Sequence, residues 1–330
     1  MMDTQHQQQA STVQPAHRVE TEHTDMIYDM KIDYHSHRIA TCSSDRTVRI
    51  YEAKQNTTTP NALVAVLDVP CDGPVWRVAW SHPKFNVLAA STQCGKVAFY
   101  RNKAPTGAPE AWGLLDVHQT RPSSINAIDF APHEYGLVLA AASADGTVSL
   151  ITMTQAGWVT TSSFQDNSVG CTSVSWAPFN SLGGQGVRRV VVGGCDSIVK
   201  IWSLLDGASA WQTTESLPTG HSDWVRDVAW APNAGMPCNT IASGGDDRRV
   251  LIWSQVEAGG PWTVEQLGAS FRAPVYRLAW SVAGQVLSVS AGEDSVTLWK
   301  QKQQSSNQTW RWTLVTSMAD SGAVPAPPTL

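Results

Sequence analysis

Between residues 220 and 253 short apolar runs alternate with polar turns, and no run there has the three-to-four-residue period of a helix. Residues 225–230, 240–243 and 250–253 are the apolar runs. The first gap between them holds Pro232, Asn233 and Gly235, and the second is the tight turn Gly244-Gly245-Asp246-Asp247. Runs of that length with such turns predict three antiparallel strands joined as a meander.

The pattern returns along the chain. A first strand is expected at Ile27–Ile32, Val75–Trp80, Ile125–Phe130, Cys171–Trp176, Val225–Trp230 and Val275–Trp280, with its large apolar side chains alternating onto an interface. The tight turn aligns six times, at Asp45, Cys94, Asp145, Asp196, Asp247 and Glu293, with spacings of 49, 51, 51, 51 and 46 residues. Six residues after each turn stands Tyr51, Tyr100, Ile151, Trp202, Trp253 or Trp299, which should end the third strand. A fourth, more polar strand is expected at 63–69, 112–117, 158–164, 211–217, 262–267 and 310–316. Short strands repeating every fifty residues or so predict an all-β fold, a six-bladed β-propeller of WD-repeat type. The blades are placed at about 18–70, 71–118, 119–166, 167–218, 219–269 and 270–319. Residues 1–17, rich in Gln, Thr and His, and 320–330, with three prolines, are expected to be disordered tails. Blade six already has its own fourth strand. Nothing is left for the N-terminal segment to complete, so the ring is expected to be open, without a latch between blades six and one.

Composition narrows the function by exclusion. Of 330 residues 42% are apolar and 15% charged, with a net charge of -5 and a pI near 6.0. The longest basic clusters are pairs such as Arg188-Arg189, which argues against direct binding of nucleic acid and makes any membrane association indirect. The six cysteines lack C-x-x-C spacing and suit reduced thiols. The start of the chain has no basic-then-apolar signal, and no apolar run approaches a spanning length of about 18 residues, so a cytoplasmic location is expected. No metal loop, phosphate loop or catalytic motif is present, and neither enzymatic activity nor a cofactor or metal is expected.

Three groups of residues carry the candidate chemistry. His23 with Asp45, His118 with Asp145 and His221 with Asp247 recur at one blade position, where a carboxylate bonded to an imidazole would tie the loop entering each blade to its turn. Repeat four offers Asn167 with Asp196, and repeat two has Cys71 and Cys94 in the two places, expected to lie close together as reduced thiols. Recurrence reads as structure, not catalysis. Tyr28, Trp76, Arg226 and Tyr276, with Asn126 and Thr172 between them, stand near the ring mouth, either as partner anchors or as ordinary packing. The open junction should be lined by Ile27, Met30, Ile32 and Ile39 of blade one and Leu278, Val286, Val289 and Leu298 of blade six, of which alternation lets only some face the gap.

His23-Thr24-Asp25-Met26-Ile27-Tyr28-Asp29, Gly73-Pro74-Val75-Trp76-Arg77-Val78-Ala79-Trp80 and Val296-Thr297-Leu298-Trp299-Lys300 resemble the small WD-repeat subunit of the outer coat of endoplasmic-reticulum transport vesicles. The resemblance runs from about residue 23 to 317, and departs from that family at Cys71 and Cys94, where His and Asp are usual. It implies an open propeller completed by a seventh blade from a helical-solenoid partner, either the large outer-coat subunit or a scaffold nucleoporin. It also implies a place in ER-to-Golgi transport, in the outer ring of the nuclear pore, and in a nutrient-signalling complex. A sister nuclear-pore WD subunit shares the first two repeats closely. A WD adaptor reading a peptide over the ring mouth is the alternative of a different class.

Overall fold

Each of the six stretches folds as four antiparallel strands in chain order, so every sheet of this computed structural model is a meander among the described residues. Those residues are 20–53, 61–105, 108–179, 181–218, 220–233, 238–292, 295–303 and 310–319. Both expected tails and Glu293 lie outside them. Blade one holds β1 (Ile27–Ile32), β2 (Arg38–Ser43), β3 (Thr47–Glu52) and β4 (Leu63–Asp68); blade two holds β5 (Val75–Trp80), β6 (Val87–Thr92), β7 (Lys96–Asn102) and β8 (Trp112–Gln119). Blade three is β9 (Ile125–Phe130), β10 (Val138–Ser143), β11 (Thr147–Thr154) and β12 (Gly157–Gln165), and blade four β13 (Cys171–Trp176), β14 (Val187–Gly194), β15 (Val199–Leu205) and β16 (Gln212–Ser216). Blade five is β17 (Val225–Trp230), β18 (Asn239–Gly245), β19 (Val250–Gln255) and β20 (Thr263–Gln266), and blade six β21 (Val275–Trp280), β22 (Val286–Ala291), β23 (Ser295–Gln303) and β24 (Trp310–Ala319). The first strands fall where the alternation puts them. Each packs beside the next, β1 by β5 through to β17 by β21, as the inner wall of a propeller.

Turn chemistry explains the repeated aspartate. The residue after it is left-handed at Arg46, Gly95, Gly146, Ser197 and Arg248, with φ between 62° and 82°. Three of these five carry a side chain in a conformation that disfavours one. The aspartate compensates by accepting the backbone N–H two residues on, from Thr47 at 3.0 Å, Thr147 at 2.9 Å, Ile198 at 3.2 Å and Arg249 at 3.1 Å. Cys94 has no carboxylate to offer. In blade two Thr92 Oγ1 takes the Lys96 N–H instead, at 3.1 Å, and glycine occupies the left-handed position.

One irregularity recurs at the top of every first strand. The pairing of the first two strands shifts at Tyr28, Trp76, Asn126, Thr172, Arg226 and Tyr276, so each is a bulge residue facing no partner. The bulge resets the alternation: the third and fifth residues of the strand, such as Asp29 and Lys31, turn to the channel, and the fourth turns to a neighbouring blade.

The core is divided accordingly. Five clusters of buried apolar side chains lie one at each junction from blades one and two to blades five and six. Among the described residues no such cluster joins blade six to blade one.

Candidate partner-binding face

The first strands show what that difference means, because equivalent positions can be compared blade by blade. The opening residue is Val75, Ile125, Cys171, Val225 or Val275 in blades two to six, each wholly buried against the preceding blade, whereas Ile27 is 44% exposed. The fourth residue is Val78, Ile128, Val174, Val228 or Leu278, again buried, whereas Met30 is 56% exposed. At the sixth position Trp80, Trp176 and Trp280 each donate the indole N–H to a carbonyl of the preceding blade, Lys31, Asp129 or Ala229, at 3.0–3.1 Å. Ile32 has no such donor and is 53% exposed. It pairs across the sheet with buried Ile39, which pairs in turn with Tyr51, so the three form one row on the face of blade one that looks away from blade two.

Blade six presents its other face to the gap, which corrects two of the four residues expected there from blade six. Leu278 and Val289 pack against blade five with Ala242, Val250 and Ile252. A first strand turns its fourth residue to the preceding blade, and Val289 alternates in phase with Leu287 on the same side. Val286 and Leu298, out of phase with these, are half-buried on the opposite side, beside partly exposed Val296.

A polar clamp spans the gap near the axis. Arg277 donates through Nη2 to the Tyr28 carbonyl at 3.0 Å, and its Nε lies 3.6 Å from Asp29 Oδ1. Burial pulls the Arg277 guanidinium below its usual value, and nearby Arg77 adds to that, while Asp227 and Asp29 oppose it. Elsewhere round the channel a first-strand side chain takes the backbone N–H of the next blade: Asp29 from Val78, Asp129 from Trp176, Ser173 from Val228 and Asp227 from Leu278, at 2.8–3.2 Å. These groups line a polar cavity of about 220 Å³ on the axis.

The ties are more varied than the sequence suggested. His23 Nδ1 lies 2.8 Å from Asp45 Oδ2, and His221 Nδ1 lies 3.0 Å from Asp247 Oδ2. In blade five the tie extends inward, from the Trp253 indole N–H to Ser243 Oγ and on to His221 Nε2, each step 2.8 Å. Burial lowers His221 and outweighs the pull of Asp247, so the ring is neutral and donates from Nδ1. His118 does not meet Asp145. It is still within β8, and its Nε2 reaches Thr160 of β12 at 2.9 Å; Arg121, further along with a longer arm, binds Asp145 at 2.9 Å. Asp196 is paired not with Asn167 but with Lys200 at 2.6 Å, and Lys200 also meets Asp166 at 3.1 Å. Asn167 instead accepts the N–H groups of Val169 and Gly170 in its own loop. Two further ties were missed: Gln119 and Gln165, at the ends of β8 and β12, each donate to the turn carbonyl of their own blade and to the following loop.

At the ring mouth Tyr28 meets Trp76 edge to face at 4.4 Å, Trp76 donates to Ser124, Ser124 to Asn126 Oδ1, and Asn126 to the Cys171 carbonyl. Arg226 is held by both oxygens of Asp246, at 2.8 and 2.6 Å. Tyr276 is 42% exposed. Cys71 and Cys94 lie side by side at one end of blade two, both as free thiols.

The profile of the WD domain, G-beta repeat, matches residues 15–52, 158–203 and 212–254. The chain is 37% identical, over 86% of its length, to the protein transport protein SEC13 of Mycosarcoma maydis, of which it covers 91%. It is 39% identical over 86% of its length to the SEC13 homolog of Drosophila melanogaster, of which it covers 80%. With the protein transport protein sec13 of Emericella nidulans the identity is 40%, over 84% of this chain and 92% of that one. Among solved structures, a chain in the crystal structure of a mitotic checkpoint complex superposes with a TM-score of 0.66 at 17% identity, covering 85% of this chain and 76% of that one, and shows the fold alone. On more than a third of its residues shared over most of both lengths, the chain belongs to the SEC13 family of WD-repeat proteins.

Proposed function

We propose that the chain is a non-enzymatic scaffold subunit of a vesicle coat in protein transport, and that it holds a helical-solenoid partner by accepting a blade between its blades six and one. The carrying observation is the exposure of Ile27, Met30 and Ile32 at positions whose counterparts are buried in, packed against or bonded to a neighbouring blade elsewhere in the ring. A face built like the inside of an interface, with no blade against it, suits an apolar wedge. An inserted blade covering on the order of 1,000 Å² of apolar surface would contribute about 25 kcal/mol gross before ordering costs, so the complex is long-lived. The names of the relatives support transport as the setting. The large outer-coat subunit is the partner in ER-to-Golgi vesicles, on the cytoplasmic side of ER exit sites. A scaffold nucleoporin at the nuclear pore, and a solenoid of a nutrient-signalling complex, would use the same face. Among the described residues no helix is long and apolar enough to cross a membrane, and attachment to membranes runs through the partner.

Co-expression with the large outer-coat subunit tests this. The wild-type chain should co-elute with it in size exclusion. Met30→Asp and Ile32→Asp should elute alone, while their thermal melts stay within about 2 °C of wild type because the changed side chains face solvent. Full co-elution of both variants would place the contact elsewhere.

A further inference from the structure

Blade two departs from its neighbours at both ends of one tie. Blades one and five join a loop histidine to a turn aspartate; blade two sets Cys71 in the loop and Cys94 in the turn. In the reduced protein each thiol hydrogen has its own acceptor. Cys71 donates to the Gly73 carbonyl at 3.0 Å, and Cys94 Sγ lies 3.2 Å from Thr92 Oγ1. Thr92 already gives its hydroxyl hydrogen to the Lys96 carbonyl, so the bond from Cys94 runs sulfur to oxygen. Cys71 is buried and Cys94 half-buried. A cavity of about 400 Å³ opens beside Cys71, with Asp68, Asp72 and Lys96 in its wall. Burial raises the Cys71 thiol, the adjoining Cys94 adds to this, and the Lys96 ammonium favours the thiolate.

We infer that Cys71 and Cys94 form a dithiol modification site, which an oxidant of the peroxide class converts to a disulfide within blade two. The more accessible Cys94 thiolate attacks one peroxide oxygen. The O–O bond breaks, an S–O bond forms, two electrons pass from sulfur to peroxide, and one water leaves. The Cys71 thiolate then attacks the sulfenic sulfur of Cys94, the S–O bond breaks, and the hydroxide takes a proton to leave as a second water. Two thiols and one hydrogen peroxide become one disulfide and two waters. The product replaces a hydrogen-bonded tie by a covalent one between the same loop and turn, closing the chain from 71 to 94 and stabilising the blade against opening. Cys42 shares the core between blades one and two with this pair, but it is wholly buried on β2, as Cys171 is in the core between blades three and four, so neither is reached by an oxidant as Cys94 is.

The experiment uses the full chain with Cys195→Ser and Cys238→Ser, which removes the other accessible thiols. After graded hydrogen peroxide and quenching with catalase, free thiols are alkylated and the protein digested for mass spectrometry. The expected result is a linked pair of peptides holding Cys71 and Cys94, with a melting temperature raised by several degrees and restored by dithiothreitol. Cys94→Ser should abolish both. Should that variant fold poorly, the double change Cys71→His and Cys94→Asp, which rebuilds the tie of blades one and five, should fold and show no peroxide response. Full alkylation of both thiols after peroxide, or advance of Cys94 to sulfinic acid without a cross-link, overturns the inference.

Discussion

Asp129 is half-buried in the channel wall, accepting the Trp176 N–H at 2.8 Å, and desolvation of its carboxyl there pushes it up to about 6 against the pull of its hydrogen bonds and of Lys31. Between the unfolded value, about 4, and 6 the folded chain therefore binds more protons than the unfolded one. Its stabilising share is complete below that window and is lost as pH rises through 6. Asp45 and Asp247 have the opposite sign: burial would raise them, but hydrogen bonds from Thr47 and His23 in one case, and the His221 ring in the other, hold them below the usual carboxylate value. Their contribution is present at neutral pH and fades as pH falls through their lowered values. His221 works in the same direction, since its lowered value favours the neutral ring and the unfolded chain takes up protons first below about 6.5. Asp129→Asn keeps an oxygen for the Trp176 N–H and removes the desolvated charge. We expect it to stabilise the protein by about 2–3 kcal/mol more at pH 7.5 than at pH 4, measured by urea unfolding across that range. A difference that does not change with pH would mean that Asp129 is solvated in the channel.

At the scale of one strand, the same position has two values depending on which blade it belongs to. Trp230, 5% exposed, ends β17 inside the core between blades four and five, while Ile32 ends β1 at the open face. Trp230→Ala should cost about 3–5 kcal/mol in chemical denaturation, whereas Ile32→Ala should cost less than about 0.5 kcal/mol. Equal losses would mean that Ile32 is covered in solution by something of this chain. The six first strands were legible because a period-two pattern ending in Trp, Phe or Ile survives in every repeat. The bulge at their second residues was not, since it changes which residue is paired without changing composition. That is also why Leu278 and Val289 were assigned to the gap: alternation separates two faces of a sheet but does not say which neighbour each face meets. His118 failed for a similar reason. Whether a side chain reaches the turn depends on where β8 ends, and two further residues of strand carry His118 away from Asp145.

Over the whole ring, among the described residues, five junctions have apolar cores and the sixth has an arginine. An apolar core excludes water along the full depth of a blade, while the Arg277 clamp fixes one point near the axis through the Tyr28 carbonyl and Asp29. A junction of that kind holds the ring in shape and leaves the outer part of the gap free for a wedge, which is what an open scaffold needs. Asp29 does not depend on the clamp for a partner, because its other oxygen accepts the Val78 N–H within the join of blades one and two. Arg277→Met should therefore release blade six from blade one without unpairing a buried carboxylate completely. In hydrogen exchange of the isolated variant, amides of β1 and β21 should exchange about tenfold faster than in wild type, with β9 to β16 unchanged, since each of those strands is enclosed by cores on both sides. On the proposed function, adding the large outer-coat subunit should restore protection in β1 and β21, because a blade inserted there would supply the apolar contacts that the clamp alone does not. If exchange in β1 and β21 were the same in the variant and the wild type, the clamp would not be what closes the ring.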